Sequence, residues 1–250
     1  PWYAPVGATL ANSWRIGWDS NDWGAVVNNM LGNVNLNKYA GPGGWNDPDF
    51  LLGTNHQAAR YLSPTQSRMQ FSVWAVMAAP LIIGSSMLAL PSYDLETYTN
   101  NEVISINQDP LGVQGIVVAG NCPAIEAAPD APLRADRFQV RLSPLVPSCQ
   151  QVWAKPLAAG GRALAFVNLA AVAANVTCDD ACFARAGYRG GSRPSRVRDL
   201  WSHMELGPAG SVLQATLEPN GGFFLVRIEG GSPGPMVDDG LRTPGDQVMG

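Results

Sequence analysis

A change of periodicity near residue 114 constrains this chain more than any other feature. Up to about residue 113, helical faces alternate with short apolar runs. Trp23, Val26, Val27, Met30 and Leu31 fall on one face of a helix that Ser20 or Asn21 is placed to cap. A second start is clearer, at Ser63-Pro64-Thr65-Gln66. Serine caps, proline takes the first helical position, and glutamine falls three after the cap. Met69, Val73, Val76 and Met77 supply the buried face, and the helix is expected to stop before Pro80. Leu81-Ile82-Ile83-Gly84 then predicts a buried strand. A helix over residues 91–100 and a further strand at Val103-Ile104-Ser105-Ile106 follow. Helix and strand in this order imply a parallel sheet with crossover helices, as an open sheet or a (β/α) barrel.

Beyond residue 114 the helical period fades. Short apolar runs at residues 152–153, 163–169, 197–201 and 223–228 are separated by Gly, Pro, Asn or Ser. Gly160-Gly161 and Asn220-Gly221-Gly222 read as hairpin turns. This pattern predicts an antiparallel β-sandwich. The expected layout is therefore an α/β part over 1–113, a sandwich over 114–229 and a disordered tail over 230–250, which is rich in Gly, Pro and Asp.

With 46% apolar residues a sizeable core can be buried, while charged residues are only 14% and the net charge is −4. Such a balance gives no footprint for nucleic acid and no basic face for an anionic membrane. The longest apolar stretch, residues 71–83, falls short of the roughly 20 residues that span a bilayer. The chain opens on Pro1 without a signal-peptide pattern, and the true N-terminus is expected to lie upstream. Four cysteines stand in the second half, an even count that suits two disulfides with three pairings open. Cys122–Cys149 with Cys178–Cys182 is the simplest. Asn175-Val176-Thr177 matches the acceptor pattern for N-glycosylation. Together these features favour the secretory route. The cysteine spacing does not suit zinc, and His56 and His203 are the only histidines.

No nucleophilic Ser or Cys constellation is present. Ser85-Ser86 has no histidine near it in sequence, and no phosphate-cradling glycine loop occurs. Carboxylates remain as catalysts. Asp19, four positions after Arg15 and just before a helix, can serve as a general acid beside a hydroxyl-binding arginine; taken alone, its plainer reading is a cap of that helix. In Gly41-Pro42-Gly43-Gly44-Trp45-Asn46-Asp47-Pro48-Asp49-Phe50, glycines allow close backbone approach. An aromatic residue, an amide and two carboxylates suited to a sugar follow. An acidic turn is the plainer reading. Calcium is disfavoured because the spacing of its loop ligands is absent. Asn107-Gln108-Asp109-Pro110-Leu111-Gly112 reads as a structural junction to the second domain.

Four ordered motifs, Ser13-Trp14-Arg15 with Asp19, Tyr39-Ala40-Gly41 through Asp49, residues 71–81 and residues 103–115, resemble the α-galactosidases (melibiases) of glycoside hydrolase family 27. Val152-Trp153-Ala154-Lys155-Pro156-Leu157 and Arg198-Asp199-Leu200-Trp201 resemble the C-terminal sandwich of the same enzymes. The resemblance implies the C-terminal part of a (β/α)8 TIM barrel followed by an antiparallel β-sandwich. It implies a retaining hydrolase of terminal α-linked galactose that needs no cofactor or metal. Such enzymes use two carboxylates roughly 5–5.5 Å apart. By the motif, Asp19 matches the acid/base, and Arg15 and Asp49 match sugar-holding groups. Phe50 takes a wall position where the family usually has methionine. The family's nucleophile sits in an earlier Lys-x-Asp pattern, expected upstream of Pro1, so residues 1–250 alone are expected to be inactive. The upstream region also carries what separates galactose from N-acetylgalactosamine. Ala11 stands where some members have a disulfide cysteine. An α-N-acetylgalactosaminidase and a non-catalytic carbohydrate-binding relative are the rival readings. The sandwich is expected to be a structural cap on the barrel.

Overall fold

The fold comes from a computed structural model, which describes residues 4–17, 19–55, 61–123 and 145–238. Helix α1 (Ala4–Leu10) leads to strand β1 (Ser13–Arg15), helix α2 (Trp23–Gly32) and strand β2 (Trp45–Asp47). β1 and β2 pair in parallel, with Ser13 opposite Trp45 and Arg15 opposite Asp47. Four residues past β2, Leu51 forms a parallel bridge to Ile83. Helix α3 (Pro64–Val76) spans that gap. Consecutive parallel segments joined by helices are the crossover wiring the sequence predicts.

α3 begins as its sequence dictates. The Ser63 side chain accepts from Gln66 N–H and the Gln66 side chain accepts from Ser63 N–H, a complete capping box with Pro64 in the first turn. For α2 the cap is Asp22, whose side chain accepts from Ala25 N–H, rather than Ser20 or Asn21. Two strand expectations change. Residues 103–106 belong to helix α5 (Asn101–Asn107), which follows helix α4 (Ser92–Tyr98). Asn100 caps α5 by accepting from Glu102 and Val103 N–H, and buried Val103 and Ile106 stand three apart on one helical face. The run at 81–84 is extended but makes only the Leu51 bridge, and Ile82 and Ile83 are exposed. Among the described residues no second segment pairs with it, so it does not become a buried strand.

The second half supplies β3 (Ile116–Gly120), β4 (Gln150–Pro156), β5 (Arg162–Asn168), β6 (Ala174–Cys178), helix α6 (Asp180–Arg185), β7 (Arg196–Asp199), β8 (Met204–Gly207), β9 (Leu213–Leu217) and β10 (Gly222–Glu229). Six strands form an antiparallel sheet in the order β3-β4-β5-β10-β7-β8, and β6 and β9 form a second sheet. The glycine turns fall where predicted: Gly160 and Gly221 adopt positive φ between β4 and β5 and before β10. Both expected disulfides are present, Cys122–Cys149 and Cys178–Cys182.

The large sheet is covered on both faces. Alternate residues Val152, Ala154, Leu164, Phe166, Val226 and Ile228 pack towards β6, β9 and α6. Their neighbours Trp153, Ala163, Ala165, Val167 and Leu225 join the core built on α2, α3 and α5. This explains why β5 is buried at every position. The two halves thus share one core. Trp201 seals its edge: its indole donates to Ser72 Oγ at 2.9 Å and its ring lies edge-on to Phe71 and Phe223. The segment from residue 230, expected as a disordered tail, is held to the sandwich for part of its length. Gly234 N–H donates to Gly187 O, and Val237 N–H donates to Arg185 O. Residues 239–250, like His56, lie outside the described residues.

Candidate active site

The parallel register fixes the site. Arg15 and Asp47 are opposite at the C-terminal ends of β1 and β2, so the loops that follow leave side by side. In barrels of parallel strands, that end carries the chemistry. Asn29 of α2 ties the two loops together: its Nδ2 donates to Ser20 Oγ at 3.0 Å and to Pro48 O at 3.1 Å. Gly17 permits this approach, because a Cβ there would run into the Asn29 amide.

Arg15 Nη2 reaches both carboxylates, Asp49 Oδ2 at 3.0 Å and Asp19 Oδ1 at 3.3 Å. Their surroundings differ sharply. Asp19 is 86% exposed, whereas Asp49 is 3% exposed. Asp19 takes no part in capping α2, which removes its plainer reading. Asp49 is held on three sides: Ser20 N–H donates to its Oδ2 at 2.5 Å, its own N–H donates to Asp47 Oδ1 at 2.8 Å, and the Trp74 indole donates to its carbonyl at 2.9 Å. Its φ is 81°, a left-handed conformation that costs a non-glycine residue about 1–2 kcal/mol. Strain of this kind persists where surrounding bonds over-determine it, often at binding sites. Burial raises the Asp47 carboxyl above its usual range, opposed by the Asp49 N–H bond and Arg15 and reinforced by Asp49.

Two buried atoms in the cluster are left over. Asp49 Oδ1 and Arg15 Nε make no hydrogen bond among the described residues. The first is an acceptor and the second a donor. Phe50 follows Asp49, 44% exposed as a residue, with its carbonyl accepting from Gln70 Nε2.

The structure brings Arg15, Asp19, Asp47 and Asp49 together and turns Trp14, Trp45 and Asn46 elsewhere. Trp14 alternates with Arg15 along β1 and turns into a small core with Ala4, Ile16 and Leu36, where its indole donates to Asn46 Oδ1. Asn46 is a buried hub that also donates to Leu36 O and Gln114 Oε1. Trp45 lines a different cleft, of about 320 Å³, with Pro42, Asn107 and Gly112. Asp109 acts at the junction, accepting from Leu111 N–H and from Ala158 N–H of the β4–β5 turn. The contributions of Ser20 and Trp74 were not singled out in the sequence. A backbone N–H carries no residue signature, and Trp74 lies in an apolar run that reads as core.

The family model for α-galactosidase A matches residues 3–109, and the model for the α-galactosidase C-terminal β-sandwich domain matches residues 148–226. The chain belongs to the α-galactosidase (melibiase) family. Its fold class is the expected one, barrel segments followed by the family's sandwich. It is 34% identical over 198 residues to α-galactosidase 3 of Arabidopsis thaliana, covering 79% of this chain and 38% of that one. It is 40% identical over 113 residues to human α-N-acetylgalactosaminidase, covering 43% and 26% of the two chains. A Saccharomyces cerevisiae α-galactosidase solved with raffinose superimposes with a TM-score of 0.71 at 20% identity, covering 91% of this chain and 61% of that one. The chain spans about two fifths of the length of the curated relatives it matches.

Proposed function

We propose that the protein removes terminal α-linked galactose from galactose-containing oligosaccharides or glycoconjugates, with retention of configuration. Asp19 is the acid/base. As a carboxylic acid it protonates the departing glycosidic oxygen, and as a carboxylate it then takes a proton from the attacking water. The nucleophile is a carboxylate outside these 250 residues. Arg15 and Asp49 grip a sugar hydroxyl, and Phe50 forms an apolar wall beside it. The secretory route is its compartment, in keeping with the two disulfides.

The observation that carries this reading is Arg15 Nη2, which reaches the exposed Asp19 carboxylate at 3.3 Å and the buried Asp49 carboxylate at 3.0 Å and so gathers the acid/base and a hydroxyl-binding pair in one place. Asp19 itself is open to solvent, as a group that meets both a leaving group and a water must be.

A second reading, hydrolysis of α-linked N-acetylgalactosamine, is favoured by the 40% identity to the human enzyme of that name. The full-length protein is assayed on nitrophenyl α-galactoside and on nitrophenyl N-acetyl-α-galactosaminide. Faster turnover of the first supports the proposal, faster turnover of the second supports the alternative, and turnover of neither sinks both.

A further inference from the structure

Asn175 stands in an unusual place for its residue type. It lies within β6, where asparagine is among the disfavoured residues. Its side chain is exposed, and its one hydrogen bond among the described residues runs from Nδ2 to Gln214 Oε1 at 3.2 Å. Neither burial nor a turn accounts for an amide here.

Strand geometry places Thr177 on the same face, two residues on. Across the pair, Thr216 is opposite Asn175 and Gln214 is opposite Thr177. Asn175 and Thr216 are exposed, while the intervening Val176 is buried in the sandwich core. This outer face is polar, and a bulky group on Asn175 projects away from the molecule. The tripeptide Asn175-Val176-Thr177 is also the only Asn-X-Ser/Thr sequence in the 250 residues.

We propose that Asn175 is a site of N-linked glycosylation. Asn175 Nδ2 bonds to C1 of an oligosaccharide donated from a lipid-linked diphosphate. The bond from C1 to the diphosphate oxygen breaks, the lipid diphosphate leaves with the electron pair, and the amide gives up one proton. Topology keeps the site open during synthesis. β9, the partner of β6, emerges about forty residues later, so Asn175 remains unpaired in the interval. The nearby Cys178–Cys182 disulfide suits the oxidising compartment where this transfer takes place. Once folded, the sugar covers the polar face of β6 and β9.

The test uses the full-length protein made in a eukaryotic secretory host and recovered whether secreted or retained. Trypsin releases the segment between Arg162 and Arg185, which holds this one acceptor. Peptide N-glycosidase is expected to remove a glycan from it and leave aspartate at position 175. The mass shift is expected to be lost in Asn175→Gln and Thr177→Ala and kept in Thr177→Ser. An unmodified 163–185 peptide in the wild-type protein overturns the proposal, as does a glycan that persists in Thr177→Ala.

Discussion

Arg15 Nη2 lies 3.0 Å from Asp49 Oδ2 across the seam between two parallel strands, pairing a half-exposed cation with a carboxylate that is 3% exposed. The asymmetry decides what breaking the pair costs. Removing one partner of a fully buried ion pair typically costs about 3–5 kcal/mol, because the other charge is stranded. Here water still reaches the arginine, which screens the loss. Arg15→Ala is expected to lower stability by about 1–3 kcal/mol, seen as a shift in urea midpoint at unchanged slope. Adding Asp49→Asn should recover part of that loss. Additive losses in the double variant would show that the two groups are not coupled.

Asp19 gives the opposite expectation. At 86% exposure it contributes little to folding. Asp19→Asn should leave the urea midpoint within about 0.5 kcal/mol of wild type. Turnover of a nitrophenyl α-galactoside by the full-length protein should fall by about 10²–10⁴-fold. A fall of less than tenfold removes Asp19 from the acid/base role.

The helix at 64–76 and the antiparallel half were legible because their signals are local: a capping box, alternating faces and glycine turns. Residues 103–106 were not, since a four-residue run of β-branched and small side chains fits either period. The deciding signal was Asn100, a cap just upstream. The site was legible only as ordered motifs. Nothing in the sequence shows that Trp14 turns inward while Arg15 turns outward, because a three-residue strand is too short to display its alternation. Trp45 looked like a sugar platform for the same reason, yet it lines a cleft with Pro42 and Asn107.

Glu102 of α5 and Arg198 of β7 clamp the two halves with a forked pair at 2.6 and 2.7 Å. The arginine hydrogen bonds hold the Glu102 carboxyl down to about 2, against its burial and with help from His203. Unfolded, a glutamate titrates near about 4.3. The folded protein therefore gives up this proton more readily than the unfolded one, and the clamp stabilises fully above that value. Its contribution should drain away as pH falls from about 4.3 towards about 2. Melting temperature should drop more steeply over this window in wild type than in Glu102→Gln, and the two should converge at the acid end. Parallel curves would show that the clamp does not respond to acid.

Lys155 poses the reverse problem. It is fully buried in β4 on the face that meets the first half, and its Nζ makes no hydrogen bond among the described residues. Burial lowers its pKa to about 8, with Asp109 opposing. Unfolded lysine titrates near about 10.4. Between about 8 and 10.4 the unfolded chain thus binds more protons than the folded one, and stability should rise with pH across that range. At neutral pH a buried ammonium that makes no hydrogen bond among the described residues is a net cost even with Asp109 in range. Lys155→Met keeps the length and the apolar stem and removes the charge. It is expected to stabilise the protein by about 1–3 kcal/mol at pH 7 and to abolish the alkaline rise. Denaturant midpoints at pH 7, 8.5 and 10 measure both effects. If the variant is less stable than wild type at pH 7, Lys155 has a favourable partner at the junction, and its burial is not a cost to the fold.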